Sequence, residues 1–178
     1  LWINLVTDGV PGLALAVEES EHGIMKRPPW NPKESIFSRG MGWRIIWIGM
    51  LMGLISLGVG YVYWLDDPNG VWQTMVFTTL VLAQMGNAMA IRSNTESSFK
   101  IGLFSNRIMV WAIVITFILQ LMLIYVPLLQ RFFRTKPLSP PDLAIALVIS
   151  LVVFIAVEFE KWIRRIRNRS KSKQQLTG

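Results

Sequence analysis

The 178-residue sequence contains no cysteine and few charged residues. The lack of cysteine excludes a disulfide framework, a thiolate metal site and a cysteine nucleophile. Charged residues make up 16% of the chain, whereas a soluble domain has about 25%. With 52% hydrophobic residues, the chain is also too apolar for intrinsic disorder. We therefore expect neither a water-soluble enzyme nor a disordered protein.

Four apolar runs are long enough to cross a bilayer, which takes about 20 residues. They cover residues 45–65, 71–91, 108–129 and 143–157, and the last continues to Trp162 with charges at its edge. A fifth run, residues 1–17, is shorter and contains Asp8. A water-soluble bundle of buried helices is the alternative, but these runs leave no polar face for each helix. We predict an all-α, polytopic transmembrane helix bundle with a partial first helix and four full spans.

The connections between the runs contain the residues that interrupt helices. Residues 66–70 (DDPNG) form a short polar turn, so the spans on either side are predicted to make a hairpin. Three prolines at positions 137, 140 and 141 precede the last span, and Asp142 is predicted to cap its start.

The basic residues predict the orientation of the chain in the membrane. Fifteen of the 18 Lys and Arg residues lie on one side, and only Arg131, Arg134 and Lys136 lie on the other. The positive-inside rule then makes the first side cytoplasmic. The predicted organisation is a partial transmembrane helix with an ion-ligand motif (1–17), a cytoplasmic loop (18–44), a four-helix membrane region (45–162) and a basic cytoplasmic tail (163–178). Residues 92–107 form a second cytoplasmic loop, and we expect the tail to contact anionic lipid rather than nucleic acid.

The first apolar segment contains a group of oxygen-bearing side chains. Asn4, Thr7 and Asp8 are spaced i, i+3 and i+4, so an α-helix places them on one face. Behind them come Gly9, Pro11 and Gly12, and Pro11 cannot donate a backbone hydrogen bond to the carbonyl four residues earlier. We therefore predict that the helix unwinds here and frees carbonyl oxygens, which suit a hard cation together with the side chains. The alternative is that Asp8 caps the second half of a broken helix.

Two further spans carry polar or small residues at helical spacing. Gln84 and Asn87 are spaced i, i+3 in the run 71–91, and amides in a span join helices more often than they bind ions. Gly49 and Gly53 form a G-x-x-x-G pattern that lets another helix approach closely.

Residues 4–11 (NLVTDGVP) and 24–29 (IMKRPP) resemble P-type cation-transporting ATPases, in particular calcium pumps of the sarcoplasmic-reticulum type and their bacterial relatives. The first motif resembles the sixth membrane helix of that family and the second resembles the loop that follows it. The resemblance extends over the whole chain, so the four later spans correspond to helices seven to ten.

The resemblance implies roles for particular residues. Asn4, Thr7 and Asp8 match the ion ligands of the sixth helix, with Asp8 as the central carboxylate, and Gln84 matches the ligand position of the eighth. The reticulum pump has glutamate at that position, so Gln84 implies a single calcium site, as in plasma-membrane-type pumps. Gly49 and Gly53 match glycines against which the fifth helix packs, and Asn87 is assigned to helix packing.

The resemblance also implies parts that this chain does not contain. The phosphorylated aspartate of DKTGT, the TGES loop and the nucleotide-binding residues are absent, so no catalytic residue is expected here and ATP and magnesium would bind in other domains. The expected partner is the N-terminal remainder of the pump, with its first five helices and cytoplasmic domains. Two alternatives stay open: a non-catalytic helical scaffold or stand-alone bundle, and a pump of the same family for sodium or manganese.

Overall fold

The computed structural model describes residues 3–18, 41–93, 97–102 and 104–176, without the side chains of residues 4, 101 and 168–176. The described part is helical and contains no strand, which confirms the predicted all-α class. A π-helix at Ile3–Asp8 leads into α1, and most of the predicted loop 18–44 lies outside the described residues. The α-helices are α1 (Gly9–Ala16), α2 (Met41–Asp66), α3 (Trp72–Ala90), α4 (Ser98–Ile101), α5 (Arg107–Tyr125), α6 (Pro127–Phe133) and α7 (Pro140–Leu176).

Three of the described helices are long and apolar enough to cross a membrane: Met41–Asp66, Arg107–Tyr125 and Pro140–Arg167. Helix α3, which corresponds to the predicted span 71–91, has 19 residues but is not among these three helices. Helix α3 packs against α2, α5, α7 and the first helical segment, so its three threonine side chains are buried between helices. Ten of its residues are buried, among them Thr74, Thr78 and Thr79. A helix surrounded by protein does not need a lipid-facing apolar surface.

The third predicted span, residues 108–129, is broken. Helix α5 ends at Tyr125 because Val126 precedes Pro127 and adopts an extended conformation, with φ −85° and ψ 117°. Pro127 cannot donate to the carbonyl of Leu123, and the hydroxyl of Thr135 donates to that oxygen instead at 2.6 Å. A side chain from the following loop thus stabilises the interrupted end of the helix.

The last helix begins differently from the prediction that Asp142 is its N-cap. Ser139 is in the capping position, since its Oγ accepts from the backbone N–H of Asp142 at 3.3 Å and Pro140 begins the helix. Asp142 returns the contact by accepting from the N–H of Ser139 at 3.2 Å, which makes a reciprocal capping box. Its other oxygen accepts from the Tyr63 hydroxyl at 2.7 Å and so joins α7 to the end of α2.

Helices α2 and α3 form the predicted hairpin. In its turn, the N–H of Gly70 donates to the carbonyl of Asp67 at 2.9 Å, and the N–H of Asn69 donates to the Asp67 side chain at 3.0 Å. The two helices approach closely at Gly60, where an added Cβ would clash with Cγ2 of Val76. Gly60, rather than Gly49 or Gly53, is therefore the glycine that permits close packing within this chain.

Substituting Gly60 by alanine is expected to destabilise the full-length protein by about 1–3 kcal/mol, because the methyl group has to displace Val76 in a packed interface. The measurement is thermal unfolding in detergent. The control is G60A combined with V76A, which removes the clashing methyl groups and should recover most of the lost stability. Equal stability of G60A and the wild type would contradict the close contact.

Gly49 and Gly53 make no close contact within the described chain. A Cβ added at either position would meet no described atom within 4 Å, and Gly49 is exposed. The predicted packing at these glycines is therefore not made by the helices described here.

Candidate ion site

The first segment is distorted upstream of its proline instead of unwinding. Gly9, Pro11 and Gly12 all lie within α1, which corrects the prediction of an unwound segment at these residues. The preceding residues, Ile3–Asp8, form a π-helix with hydrogen bonds from i to i+5. Pro11 lies in the first turn of α1, where a missing N–H is tolerated, and its effect appears as a widened turn before it. Widened turns of this type occur frequently at functional sites.

The π-helix brings Thr7 against Gln84 of α3. Thr7 is 2% exposed, and its Oγ1 lies 3.0 Å from Oε1 of Gln84 and within hydrogen-bond distance of the carbonyl oxygen of Ile3. A threonine hydroxyl has one proton, so it can donate to only one of these two oxygens at a time. Oγ1 of Thr7 is therefore within hydrogen-bond distance of two other oxygen atoms, the backbone carbonyl of Ile3 and the amide oxygen of Gln84, in a part-buried position where the π-helix contacts α3.

The other predicted ligands are placed less closely together. Asp8 lies at the junction of the π-helix and α1, and its side chain is exposed among the described residues. The side chain of Asn4 lies outside the described residues. The structure therefore brings Thr7 and Gln84 together, and it does not place Asp8 in contact with them.

Asn87 lies one helical turn from Gln84. Its Oδ1 is buried and accepts no hydrogen bond from the described residues. If this oxygen joined two of the described helices, it would accept a hydrogen bond from one of them. The described residues therefore provide no hydrogen bond for the buried Oδ1 of Asn87.

A buried polar pair between α3 and α5 was not anticipated from the sequence. Gln120 is 1% exposed, and its Nε2 donates to the hydroxyl of Thr78 at 3.3 Å. Thr116, one turn earlier in α5, is fully buried. The available signal was the i, i+4 spacing of Thr116 and Gln120 within an otherwise apolar run, which marks the face of α5 that packs against α3.

A buried ionic cluster joins α7 to the start of α4, and the sequence analysis did not predict it. Nζ of Lys161 contacts Oε1 of Glu158 at 2.7 Å, and the Lys161 side chain is 1% exposed. Glu158 also accepts hydrogen bonds from the hydroxyls of Ser97 and Ser98, each at 2.7 Å. The sequence analysis used these charges as the edge of a membrane span and, for Lys161, as a signal of orientation, although acidic and basic residues three apart on one helix face are a signal for pairing.

The chemistry available to the first segment is that of neutral oxygen ligands with one carboxylate nearby. Among the described residues, no three His, Cys, Asp or Glu side chains are grouped as metal ligands. Hydroxyl, amide and carbonyl oxygens are ligands for hard cations. Calcium, one such cation, binds about 6 to 8 oxygen ligands. The site therefore suits a hard cation but needs further oxygen ligands.

The comparison with known proteins decides the family. A family model described as "Cation transporting ATPase, C-terminus" matches residues 1–163. The chain belongs to this family. The match begins before the π-helix and extends into α7, so the matched region contains the π-helix, α1 to α6 and most of α7.

Curated relatives of this family member are calcium-transporting ATPases. The chain is 36% identical over 154 residues to a calcium-transporting ATPase of Bacillus subtilis, covering 85% of this chain and 17% of the relative. It is 36% identical over 173 residues to human calcium-transporting ATPase type 2C member 1, and the match covers 95% of this chain and 18% of the relative. It is 34% identical over 177 residues to calcium-transporting ATPase 1 of Saccharomyces cerevisiae, and the match covers 97% of this chain and 18% of the relative. The chain thus spans less than a fifth of the length of each of these three relatives. Together with the three long apolar helices, the family membership identifies a membrane-embedded protein.

Proposed function

We propose that this chain is the C-terminal membrane domain of an ATP-driven P-type calcium pump and supplies part of its transmembrane ion site. The observation that supports the proposal is the 3.0 Å contact between the hydroxyl of Thr7, which lies in the π-helix, and the amide oxygen of Gln84 in α3. In the proposal, Asn4, Thr7, Asp8 and Gln84 are ion ligands. Asp8 supplies the charge that makes a divalent cation tolerable inside hydrocarbon, where an unpaired charge is costly.

In this pump the remaining ligands and the energy come from outside the chain. Calcium needs more oxygens than Thr7, Gln84, Asp8 and Asn4 offer, so helices of the N-terminal part complete the site. ATP and magnesium bind in the cytoplasmic domains of that part. The exposed Asp8, together with the uncovered Gly49 and Gly53, supports contact with those helices.

The proposed orientation places residues 18–44, 92–107 and 163–178 in the cytoplasm. The support is the distribution of basic residues. Helix α7 continues through most of the basic tail to Leu176, so the tail is proposed to extend as a helix from the membrane surface and to contact anionic lipid there.

The proposal is tested by ATP-driven uptake of radioactive calcium into inside-out vesicles that contain the full-length protein. Uptake that depends on ATP and saturates with calcium is expected. Uptake of manganese or sodium in place of calcium would favour the other members of the pump family, and the absence of ATP-driven uptake of all three cations would favour the non-catalytic scaffold.

Substituting Gln84 by glutamate is expected to allow a second calcium ion to be transported per ATP hydrolysed, because a carboxylate adds charge and a bidentate ligand at the same position. The measurement is the ratio of calcium uptake to phosphate release. The control is Gln84→Leu, which removes the oxygen and should raise the half-saturating calcium concentration. If both variants leave ratio and affinity unchanged, Gln84 acts only as a hydrogen-bonding residue between helices.

A further inference from the structure

A single carboxylate, that of Glu18, joins three helix ends. Glu18 follows α1, and its two oxygens accept hydrogen bonds from the guanidinium of Arg92, from Nη2 at 2.7 Å and from Nε at 3.0 Å. Arg92 lies two residues after the end of α3. Asn106 donates to the same carboxylate at 2.6 Å and is the N-cap of α5, where its Oδ1 accepts from the N–H of Met109. The ends of α1 and α3 and the start of α5 therefore meet at Glu18.

Arg92 and Glu18 form a largely buried ion pair with two hydrogen bonds. The Arg92 side chain is 1% exposed and that of Glu18 is 15% exposed. Two parallel N–H···O bonds between guanidinium and carboxylate fix both distance and orientation. Arg92 also donates to the carbonyl of Gly102 at 3.1 Å and to the hydroxyl of Ser105 at 2.7 Å, so it is itself held in place.

Burial alone would raise the pKa of the Glu18 carboxyl. The hydrogen bonds from Arg92 and Asn106 and the Arg92 charge outweigh that effect, and the pKa of Glu18 lies below its ordinary value. Glu18 is therefore ionised at neutral pH. Its contribution to stability is fully present above the ordinary glutamate pKa of about 4.3 and is lost only as the pH falls through the lower value in the folded protein.

Helix α1 links this cluster to the candidate ion site. Its eight residues span about 12 Å at 1.5 Å per residue, with Thr7 just before one end and Glu18 just after the other. Between them, Ala14 is 1% exposed and packs against Ala88 of α3 and Met109 and Ala112 of α5. The side chain of Asn106 also donates to the carbonyl of Ala14 at 3.4 Å. A shift of α1 along its axis or about it would therefore break the Glu18 contacts and move Thr7 away from Gln84.

We propose that the Glu18–Arg92 ion pair is a positioning element of the ion site: it fixes α1 against α3 so that the Thr7 hydroxyl stays opposite the Gln84 amide. Glu18 and Arg92 touch no ion and act through the helix. This inference rests on the proposed function for its effect on calcium affinity, whereas the geometric effect on the Thr7–Gln84 distance is independent of the ion transported.

The first test measures calcium affinity in the full-length protein. Glu18→Ala is expected to raise the half-saturating calcium concentration for uptake at least about fivefold, in the range of coupling between linked sites, with a smaller change in maximal rate. Glu18→Gln keeps one acceptor oxygen but replaces the other with an NH2 group and loses the charge, and it should shift the affinity in the same direction by less. The matched control is Glu160→Gln, a carboxylate paired with Arg44 and Arg164 rather than with α1, which should leave the affinity unchanged.

A double-mutant cycle separates positioning from general damage. In a Gln84→Ala background the ion no longer uses the Gln84 oxygen, so Glu18→Ala should raise the half-saturating concentration by a smaller factor than in the wild type, whereas independent distant sites would give additive effects. Equal fold-changes in both backgrounds, or a wild-type affinity in Glu18→Ala, would overturn the inference.

The second test does not depend on transport. Thr7→Cys and Gln84→Cys are introduced into the full-length protein, any cysteine outside this chain is replaced, and the pair is cross-linked in membranes by a short bifunctional thiol reagent. Cross-linking is expected to be at least about fivefold slower when Glu18→Ala is added, and unchanged when Glu160→Gln is added. Equal rates with and without Glu18→Ala would overturn the positioning role even if calcium uptake is confirmed. Slower cross-linking in a protein that transports no calcium would support positioning and reject the proposed cargo.

Discussion

Asp8→Asn in the full-length protein is expected to raise the half-saturating calcium concentration for ATP-driven uptake by about 10- to 100-fold. A contact with a charged group contributes about 1.5–3 kcal/mol, and each 1.4 kcal/mol corresponds to about tenfold in affinity. Asn keeps one oxygen and a similar shape but removes the negative charge that offsets the cation. The measurement is calcium-dependent uptake into vesicles.

The matched control for Asp8 is Asp67→Asn in the turn between α2 and α3. The Asp67 side chain is exposed and accepts only a local hydrogen bond from Asn69, which asparagine can also accept. Asp67→Asn should therefore transport calcium as the wild type does. Undiminished uptake by Asp8→Asn, with the variant present in the membrane at the wild-type level, would contradict the role of Asp8 as an ion ligand.

Lys161→Met is expected to destabilise the full-length protein by about 3–5 kcal/mol, because it leaves the Glu158 charge buried without its partner. The serine hydroxyls that contact Glu158 satisfy its hydrogen bonds but do not neutralise it. The measurement is thermal unfolding in detergent, with the folded fraction followed by size-exclusion chromatography.

Two comparisons show whether the Lys161 effect comes from the unpaired charge. Arg164→Met removes a cation from a half-exposed i, i+4 pair with Glu160, and should cost less than about 1 kcal/mol. Replacing both Lys161 and Glu158 by methionine should restore most of the stability, since an apolar pair can substitute for a buried ion pair. If Lys161→Met and Arg164→Met destabilise the protein equally, the burial of the Lys161–Glu158 pair does not increase the cost of losing its cation.

The helices were largely predictable because their signal is local. Apolar runs of membrane-span length predicted α2, α3, α5 and α7, and the DDPNG turn predicted the hairpin between α2 and α3. The errors arose where two local signals compete. Pro127 ends α5 inside an apolar run, and Ser139 rather than Asp142 caps α7 because Pro140 fits the first helical position.

The candidate site was predictable in composition but not in geometry. The spacing of Asn4, Thr7 and Asp8 assumes 3.6 residues per turn, and the π-helix changes which side chains share a face. The contact of Thr7 with Gln84 joins residues 77 positions apart, which no local pattern encodes. Glu18 and Arg92 are 74 positions apart, and Arg92 was interpreted as a signal of orientation because surface charge and paired charge look alike in a sequence.

Equilibrium binding of radioactive calcium to the purified full-length protein tests the central claim most directly, because it measures the ion site without requiring turnover. The account predicts saturable binding to the wild type and to the Asp67→Asn control, and loss of that binding in Asp8→Asn. Saturable binding that is unchanged in Asp8→Asn, or no calcium binding by the wild type, would contradict the assignment of the ion site to this segment.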